Sequence, residues 1–174
     1  MNVFSLDAPL QLTRFEPRDA PLLVAYLSDP DIHRNTLRMP FPYTAEDAEA
    51  FLAKNFENVE KGVFTQFAVR STEGLLLGCA GFLDLVPGIH KAEIGYWIAK
   101  PFWGQGVATS VVKGLVGIGF GEYGLKRICG ITFEGNRASE RVLEKCGFAF
   151  EGLMKHFIEK NGTLINARLY AITA

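Results

Sequence analysis

The chain has 174 residues, a formal net charge of −1 and a composition that is 48% hydrophobic and 21% charged. This length and composition suit one globular domain over residues 1–174 with a full-sized core. The near-neutral charge excludes bulk electrostatic attraction to nucleic acid, and no apolar stretch is long enough to span a membrane. The N-terminal MNVFSLDAPLQL has neither the basic nor the apolar region of a signal peptide, so we expect none.

The three cysteines, Cys79, Cys129 and Cys146, have no CxxC spacing and lie among apolar residues. Cysteines of this kind are typically buried, reduced thiols. They indicate a reducing, cytoplasmic location. None lies in a motif typical of a nucleophile, and the chain carries no pattern that predicts a metal site.

The first half of the chain alternates between helical and extended patterns. LQLTRF (10–15) predicts a strand, and Pro17 opens a helix that runs to about Leu27. Three prolines in 29–43 predict a loop. Thr44, followed by Asp47, begins an amphipathic helix to about Lys61. The next two predicted strands, 63–70 and 75–86, flank the turn STEG.

The second half begins with a turn at Pro87–Gly88 and a strand at 90–99. A glycine-rich helix at 107–123 and an apolar strand at 127–133 follow, and then a helix capped by Asn136 that stops at Gly147. Asn161–Gly162 predicts the turn of a final hairpin. The order β-α-α-β-β-β-α-β-α-β-β predicts an α/β (α+β) fold. Its sheet should be mixed and mostly antiparallel, with about seven strands and about four helices on both faces.

The stretch KPFWGQGVATSVV (100–112) places two glycines between a predicted strand and a predicted helix. It lacks the GK[ST] ending of a phosphate-binding P-loop, and it fits only the first half of a dinucleotide GxGxxG fingerprint. Two interpretations stay open. The glycines can serve a tight turn that needs unusual backbone angles. Alternatively, the N–H groups of 104–109 form an anion-binding cradle at a helix N-terminus, for the pyrophosphate of an acyl carrier such as coenzyme A.

Two longer stretches favour the second interpretation. AEIGYWIAKPFWGQGVAT (92–109) followed by ITFEGNRASERVLEKCGFAFEG (131–152) resembles the GCN5-related N-acetyltransferase (GNAT) superfamily. Within it, the chain looks most like the RimJ/RimL-like branch, the ribosomal-protein N-terminal acetyltransferases. The N-terminal LQLTRFEPRDAPLLVAYLSDPDI resembles the opening strand and helix of the same branch. The resemblance covers nearly the whole chain.

The resemblance implies that acetyl-CoA is the cosubstrate and that no metal takes part. The family holds the pyrophosphate on a Q/R-x-x-G-x-G/A turn, which matches Trp103, Gly106 and Ala108, with Trp103 departing from the usual Gln or Arg. Backbone groups of the preceding strand would hold the pantetheine arm, and Asn136 would bond a pantetheine or amide group. The implied cofactor-binding residues are Trp97, Ile98, Ala99, Trp103, Gly104, Gln105, Gly106, Val107, Ala108, Thr109, Asn136 and Ser139.

The implied chemistry is direct transfer of an acetyl group to a primary amine, without a covalent acetyl-enzyme. Ser139 matches the family position that protonates the leaving thiolate, and this motif position favours that role over the alternative of helix-cap support alone. Glu93 matches an acidic position beside the amine pocket, although it can equally be structural. A glutamate used as base by some RimL-like enzymes aligns with Ile158, one residue from Glu159, and the family's aspartate in the last strand aligns with Asn166. Because a one-residue shift turns a strand side chain to the other face, Glu159 is a doubtful base.

The implied acceptor is an amine, with a protein or peptide N-terminus favoured. A small amine, such as a polyamine, an amino acid or an aminoglycoside, is the alternative within the same fold, and a non-catalytic acyl-CoA-binding module is the alternative outside catalysis. His33, Arg34 and Arg38 of the loop at 31–43 would suit an acceptor with a carboxylate or phosphate. Homodimers are common in this branch, but no residue pattern demands one.

Overall fold

The computed structural model describes residues 3–7, 9–61, 63, 65–83, 85 and 88–174. Eight strands lie in this part of the chain: β1 (Phe4–Ser5), β2 (Leu10–Thr13), β3 (Gln66–Ser71), β4 (Leu76–Leu83), β5 (Lys91–Ile98), β6 (Arg127–Phe133), β7 (Ala149–Lys160) and β8 (Thr163–Thr173). The same residues contain five α-helices: α1 (Ala20–Leu27), α2 (Pro30–Arg34), α3 (Ala45–Glu60), α4 (Val107–Gly121) and α5 (Arg137–Lys145). Short 3-10 helices lie at Pro17–Asp19 and Lys100–Phe102.

The strands form one hydrogen-bonded sheet in the order β1-β2-β3-β4-β5-β6-β8-β7. The pairs β1/β2, β2/β3, β6/β8 and β7/β8 are antiparallel. β5 and β6 are parallel, with Glu93 opposite Cys129, and the connection between them contains α4, as a parallel crossover requires. The predicted α/β class with a mixed, mostly antiparallel sheet is confirmed.

The chain divides into two compact units. The first contains residues 1–80 and 96–107. A buried ion pair joins Asp19, just before α1, to Arg70 on β3, with Arg70 Nη1 2.9 Å from Asp19 Oδ1 and Nη2 2.6 Å from Oδ2. The core of this unit consists of Phe15, Leu23, Leu27, Ile32, Tyr43, Ala48, Leu52, Ala68, Leu76, Cys79, Trp97 and Ala99.

The second unit contains residues 81–95 and 108–174. Ile128 and Gly130 are two residues apart on β6 and therefore face the same side of the strand. A Cβ added at Gly119 on α4 would lie 2.6 Å from the Ile128 side chain, and one added at Gly130 would lie 3.1 Å from Leu143 on α5. Both helices thus pack closely on one face of β6. This close packing explains the glycine at position 119, although glycine otherwise weakens a helix, but not Gly117 or Gly121, beside which a Cβ would meet no atom within 4 Å.

Two elements differ from the sequence-based predictions. The predicted loop at 29–43 contains α2, because Asp29 accepts a hydrogen bond from Asp31 N at 2.8 Å and Pro30 occupies the first helical position. The two-residue β1 was not predicted, so the described residues hold eight strands rather than about seven. Counting α2, they hold five α-helices rather than about four.

The predicted strands and turns otherwise agree with the observed elements to within a few residues. The first predicted strand (10–15) ends two residues earlier, at Thr13, and the second (63–70) begins three residues later, at Gln66 of β3. Phe64, Asp84, Val86 and Pro87 belonged to the predicted strands 63–70 and 75–86 and to the Pro87–Gly88 turn, and they lie outside the described residues.

The last hairpin turns at Asn161 and Gly162, as predicted. Their φ angles are 51° and 74°, and two consecutive positive values define the tight turn that Asn-Gly favours. β7 contains an irregularity between Met154 and Ile158, where His156 also has a positive φ of 51°. Asn166 on β8 holds this bulge, because its Oδ1 accepts a hydrogen bond from His156 N at 2.9 Å.

Candidate active site

The glycine turn leads directly into α4. Gly104 and Gly106 have φ angles of 75° and 80°, in the left-handed region that glycine adopts without strain. This backbone requirement alone accounts for both glycines. A Cβ built on either residue would meet no atom within 4 Å, so the space beside the turn is open.

The N–H groups of the turn are available to a ligand. Among the described residues, none accepts a hydrogen bond from the backbone N–H of residues 104–106. The first N–H groups of α4, which begins at Val107, lack intrahelical partners as in any α-helix. These amides and the positive end of the helix dipole together favour an anion.

Two side chains brace the turn from outside. The Trp103 indole is 46% exposed, and its Nε1–H donates to Ile98 O at 2.6 Å. The Gln105 side chain donates from Nε2 to Pro101 O at 3.0 Å. Trp103 therefore fixes the turn to the end of β5.

Residues Trp97, Ile98 and Ala99 have buried side chains, so a ligand beside them can reach mainly backbone atoms. Some of those atoms already have partners: Ala99 N donates to Leu77 O at 2.8 Å, and Ile98 O accepts the Trp103 indole. A Cβ at Gly78 on β4 would lie 2.2 Å from Trp97 O, so glycine is required for this close approach. Of the remaining predicted residues, Val107 is buried and Ala108 and Thr109 are half-buried.

The predicted cap of α5 is confirmed. Asn136 Oδ1 accepts a hydrogen bond from Ser139 N at 3.3 Å, and both residues are half-buried. The cap uses the backbone of Ser139 rather than its hydroxyl. The serine side chain therefore stands on the first turn of a helix, where the helix dipole stabilises negative charge.

Glu93 is half-buried on β5, opposite Cys129 on β6. Burial raises the pKa of the Cys129 thiol, and the negative charge of Glu93 raises it further. Cys129 donates weakly from Sγ to Ala92 O at 3.6 Å. These neighbours disfavour the thiolate form of Cys129, which is the nucleophilic form of a cysteine.

Ile158 and Asn166 align with two acidic residues of the family, and Glu159 is the neighbour of the first. Ile158 is 6% exposed, whereas its neighbour Glu159 is exposed. Asn166 bridges His156 N and the Glu134 carboxylate, with Nδ2 2.9 Å from Glu134 Oε2. Asn166 thus has a structural role in the β7 bulge.

Lys100 is a residue that the sequence reasoning missed. Its Nζ lies 2.6 Å from Asp31 Oδ2 and 3.6 Å from Asp29 Oδ2, which ties α2 to the segment just before the glycine turn. Arg34 Nη1 also contacts Asp31 Oδ1, at 3.1 Å. No local sequence signal pairs residues this far apart. The Arg34 side chain thus contacts Asp31 while most of it stays exposed to solvent.

Two other kinds of feature are absent from the part of the chain that the structure describes. No described group of three or more His, Cys, Asp or Glu side chains is arranged to hold a metal ion. None of the described helices has both the length and the apolar character needed to cross a membrane.

The sequence matches a known family and several relatives. The family model described as an acetyltransferase (GNAT) domain matches residues 10–149. "Uncharacterized N-acetyltransferase YoaA" of Bacillus subtilis (strain 168) is 39% identical over 97 residues, which are 56% of this chain and 55% of that protein. The alignment thus spans about half of YoaA. "Ribosomal-protein-serine acetyltransferase" of Escherichia coli (strain K12) is 27% identical over 131 residues, which are 75% of this chain and 73% of that protein.

Solved structures share the fold over nearly the whole chain. A GNAT-family acetyltransferase from Bacillus anthracis has a TM-score of 0.87 and 28% identity, covering 99% of this chain and 98% of that one. RimL, a ribosomal L7/L12 alpha-N-protein acetyltransferase in complex with coenzyme A, has a TM-score of 0.86 and 20% identity, with the same coverage. With the family match running through both units of the chain, these findings lead to one conclusion: the chain belongs to the GNAT acetyltransferase family.

Proposed function

We propose that the protein transfers an acetyl group from acetyl-CoA to a primary amine, with a protein or peptide N-terminus as the favoured acceptor. The observation that carries this proposal is the open turn at Gly104 and Gly106, whose N–H groups lack partners among the described residues and lead into α4. Such a turn suits the pyrophosphate of coenzyme A. Family membership and the coenzyme A complex of the RimL structure support the same donor.

The donor would lie on backbone groups. The N–H groups of 104–109 would bind the pyrophosphate, backbone atoms of 97–99 would contact the pantetheine arm, and Asn136 and Ser139 would face its thioester end. Because the turn amides are preorganised by Trp103 and Gln105, binding would need little rearrangement.

The chemistry would be a single displacement at the thioester carbonyl. The lone pair of the neutral amine attacks the carbonyl carbon, an N–C bond forms, and the C–S bond breaks. Ser139 would donate its hydroxyl proton to the leaving sulfur, helped by its place on the first turn of α5. Glu93 would attract the acceptor ammonium and accept the proton that the amine loses. Solvent would then return a proton to Ser139 and take the proton from Glu93, which restores both residues. No metal is required.

The preference for a protein or peptide N-terminus as acceptor rests on the activity named for one relative. The E. coli relative is a ribosomal-protein-serine acetyltransferase, and it aligns with three quarters of this chain. An α-amino group is mostly protonated at pH 7 but loses its proton more readily than lysine, because its pKa is about 7.7–8.0 against about 10.4. An enzyme whose proposed base is the single carboxylate of Glu93 therefore suits an N-terminal amine better than a lysine side chain. We place this activity in the cytoplasm, in a single domain over residues 1–174.

A thiol-release assay tests the proposal. Purified protein receives acetyl-CoA and one of four acceptors: a peptide with a free N-terminal serine or alanine, the same peptide N-acetylated but containing lysine, spermidine, or a free amino acid. Release of coenzyme A is followed with a thiol reagent, after subtraction of the signal from protein thiols. Mass spectrometry locates the added acetyl group.

We expect release with the free peptide, acetylation at its α-amino group, and background release with the blocked peptide. Faster release with spermidine or a free amino acid would overturn the proposed acceptor and favour a small-amine acetyltransferase. Tight acetyl-CoA binding without thiol release for any amine would overturn catalysis and favour a non-catalytic acyl-CoA-binding module.

A further inference from the structure

Three buried polar atoms in the second unit lack hydrogen-bond partners among the described residues: Thr132 Oγ1, Glu140 Oε1 and Arg168 Nε. Thr132 is 3% exposed and Glu140 is 2% exposed. Buried polar groups in native proteins nearly always have a partner, from protein or from ordered water. Three such atoms in one place therefore call for a shared explanation.

The three atoms belong to neighbouring elements that meet under α5. Thr132 on β6 lies directly opposite Arg168 on β8, so their side chains share one face of the sheet. Arg168 Nε lies 3.6 Å from Glu140 Oε1, which is too long for a direct hydrogen bond.

The next pair along the same strands confirms which element covers this face. Gly130 lies opposite Tyr170. Gly130 packs against Leu143, and the Tyr170 hydroxyl lies 3.3 Å from Glu144 Oε1. Because Leu143 and Glu144 are on α5, the first turn of α5, with Glu140, covers Thr132 and Arg168.

The hydrogen-bonding capacities of the three atoms are complementary to one small ligand. Arg168 Nε–H can only donate, an ionised Glu140 oxygen can only accept, and the Thr132 hydroxyl can do either. The other Glu140 oxygen already accepts from Arg137 Nη1 at 2.8 Å. Water both donates and accepts, and it is small enough to lie beside Arg168 Nε and Glu140 Oε1, which are 3.6 Å apart, and to contact both atoms.

We propose that one buried water molecule bridges Thr132, Glu140 and Arg168. It accepts a hydrogen bond from Arg168 Nε–H, donates one to Glu140 Oε1, and exchanges a third with the Thr132 hydroxyl. A buried water typically makes about three such bonds to otherwise unpaired polar groups. The water fastens the first turn of α5 to β6 and β8. This inference does not depend on the proposed activity.

The Thr132→Val variant tests the site, because the two side chains have nearly the same volume. If the hydroxyl is unpaired, its removal relieves a desolvation cost and raises Tm. If the hydroxyl binds the bridging water, its removal leaves that water and its partners underbonded, and Tm falls by about 2–4 °C. Thr163→Val, at an exposed position on β8, controls for the higher strand preference of valine.

A drop in Tm for Thr132→Val relative to Thr163→Val supports the site, and an equal or higher Tm overturns it. A crystal structure at a resolution that orders internal waters gives a second, independent readout. It should contain a water within hydrogen-bonding distance of all three atoms. Absence of that water, with Arg168 Nε and Glu140 Oε1 in direct hydrogen-bond contact, would overturn the proposal.

Discussion

Asn136 caps the helix that carries Ser139, and it does so through the Ser139 backbone: Asn136 Oδ1 accepts a hydrogen bond from Ser139 N at 3.3 Å. Capping and proton donation therefore use different atoms of Ser139. Because alanine keeps the N–H group, substitution of Ser139 separates the two roles.

We expect Ser139→Ala to lower kcat about 100-fold, the lower end of the effect of losing a general acid. Its KM for acetyl-CoA and its free energy of unfolding should stay close to those of the wild type. Asn136→Ala is the matched control for the cap, and it should cost about 1 kcal/mol of stability. Steady-state kinetics and chemical denaturation measure these quantities. A wild-type kcat in Ser139→Ala would remove this residue as the acid.

Breaking the buried pair between Asp19 and Arg70 should strongly destabilise the protein. Asp19 Oδ2 also accepts a hydrogen bond from Glu16 N at 2.8 Å, and Arg70 Nε donates to Thr13 Oγ1 at 2.9 Å. Removal of one partner leaves the buried charge of the other unpaired. Asp19→Ala should therefore lower the free energy of unfolding, measured by urea denaturation, by about 3–5 kcal/mol. The double variant Asp19→Leu, Arg70→Met should recover most of this loss. A loss below about 1 kcal/mol in Asp19→Ala would show that the pair contributes little.

The contact between Lys100 and Asp31 should make the stability of the protein depend on pH in the acidic range. The hydrogen bond and charge of Lys100 hold the pKa of Asp31 below its usual 3.8. A lowered folded-state pKa gives stability that is present above the unfolded value and is lost as the pH falls through the folded one. The wild type should therefore be more stable than Lys100→Met at pH 5–7, and the difference should shrink below about pH 4. Thermal melts from pH 7 to pH 3 measure this difference, and a constant gap across the series would contradict the contact.

Local sequence chemistry predicted those features of the fold that depend on a few neighbouring residues. Thr44 and Asp47 form the predicted reciprocal cap of α3, and Asn161–Gly162 forms the predicted turn. The Asp29–Pro30 pair is typical of a helix start and indicates α2, but the three prolines within 29–43 led to the prediction of a loop. β1 could not be predicted, because its two residues have no periodicity and are defined only by pairing with Gln11 and Leu12.

The features of the candidate site also divide into local ones, which the sequence predicted, and non-local ones, which it did not. The positive φ angles of Gly104 and Gly106 and the Asn136 cap follow from short motifs. The Lys100–Asp31 contact joins side chains 69 residues apart, and the Trp103 indole bonds the backbone oxygen of Ile98 at the end of β5. The His156 bulge, held by Asn166, is equally non-local. None of these contacts leaves a pattern in one sequence.

The glycine turn itself gives the sharpest test of the donor site. Gly106 has a φ of 80°, so any side chain there costs stability whether or not a ligand binds. Gly124 is a matched control, because its φ is 62° and a Cβ on it would also meet no atom within 4 Å. Gly106→Ala and Gly124→Ala should lose similar stability, about 1–2 kcal/mol each.

Isothermal titration of coenzyme A into the wild type, Gly106→Ala and Gly124→Ala tests the central claim most directly. The wild type and Gly124→Ala should bind with the same affinity. Gly106→Ala should bind at least about tenfold more weakly, a loss of about 1.4 kcal/mol, because its methyl group occupies the space through which the pyrophosphate approaches the turn amides. Equal affinity of Gly106→Ala and Gly124→Ala for coenzyme A, or no binding by the wild type, would contradict the account.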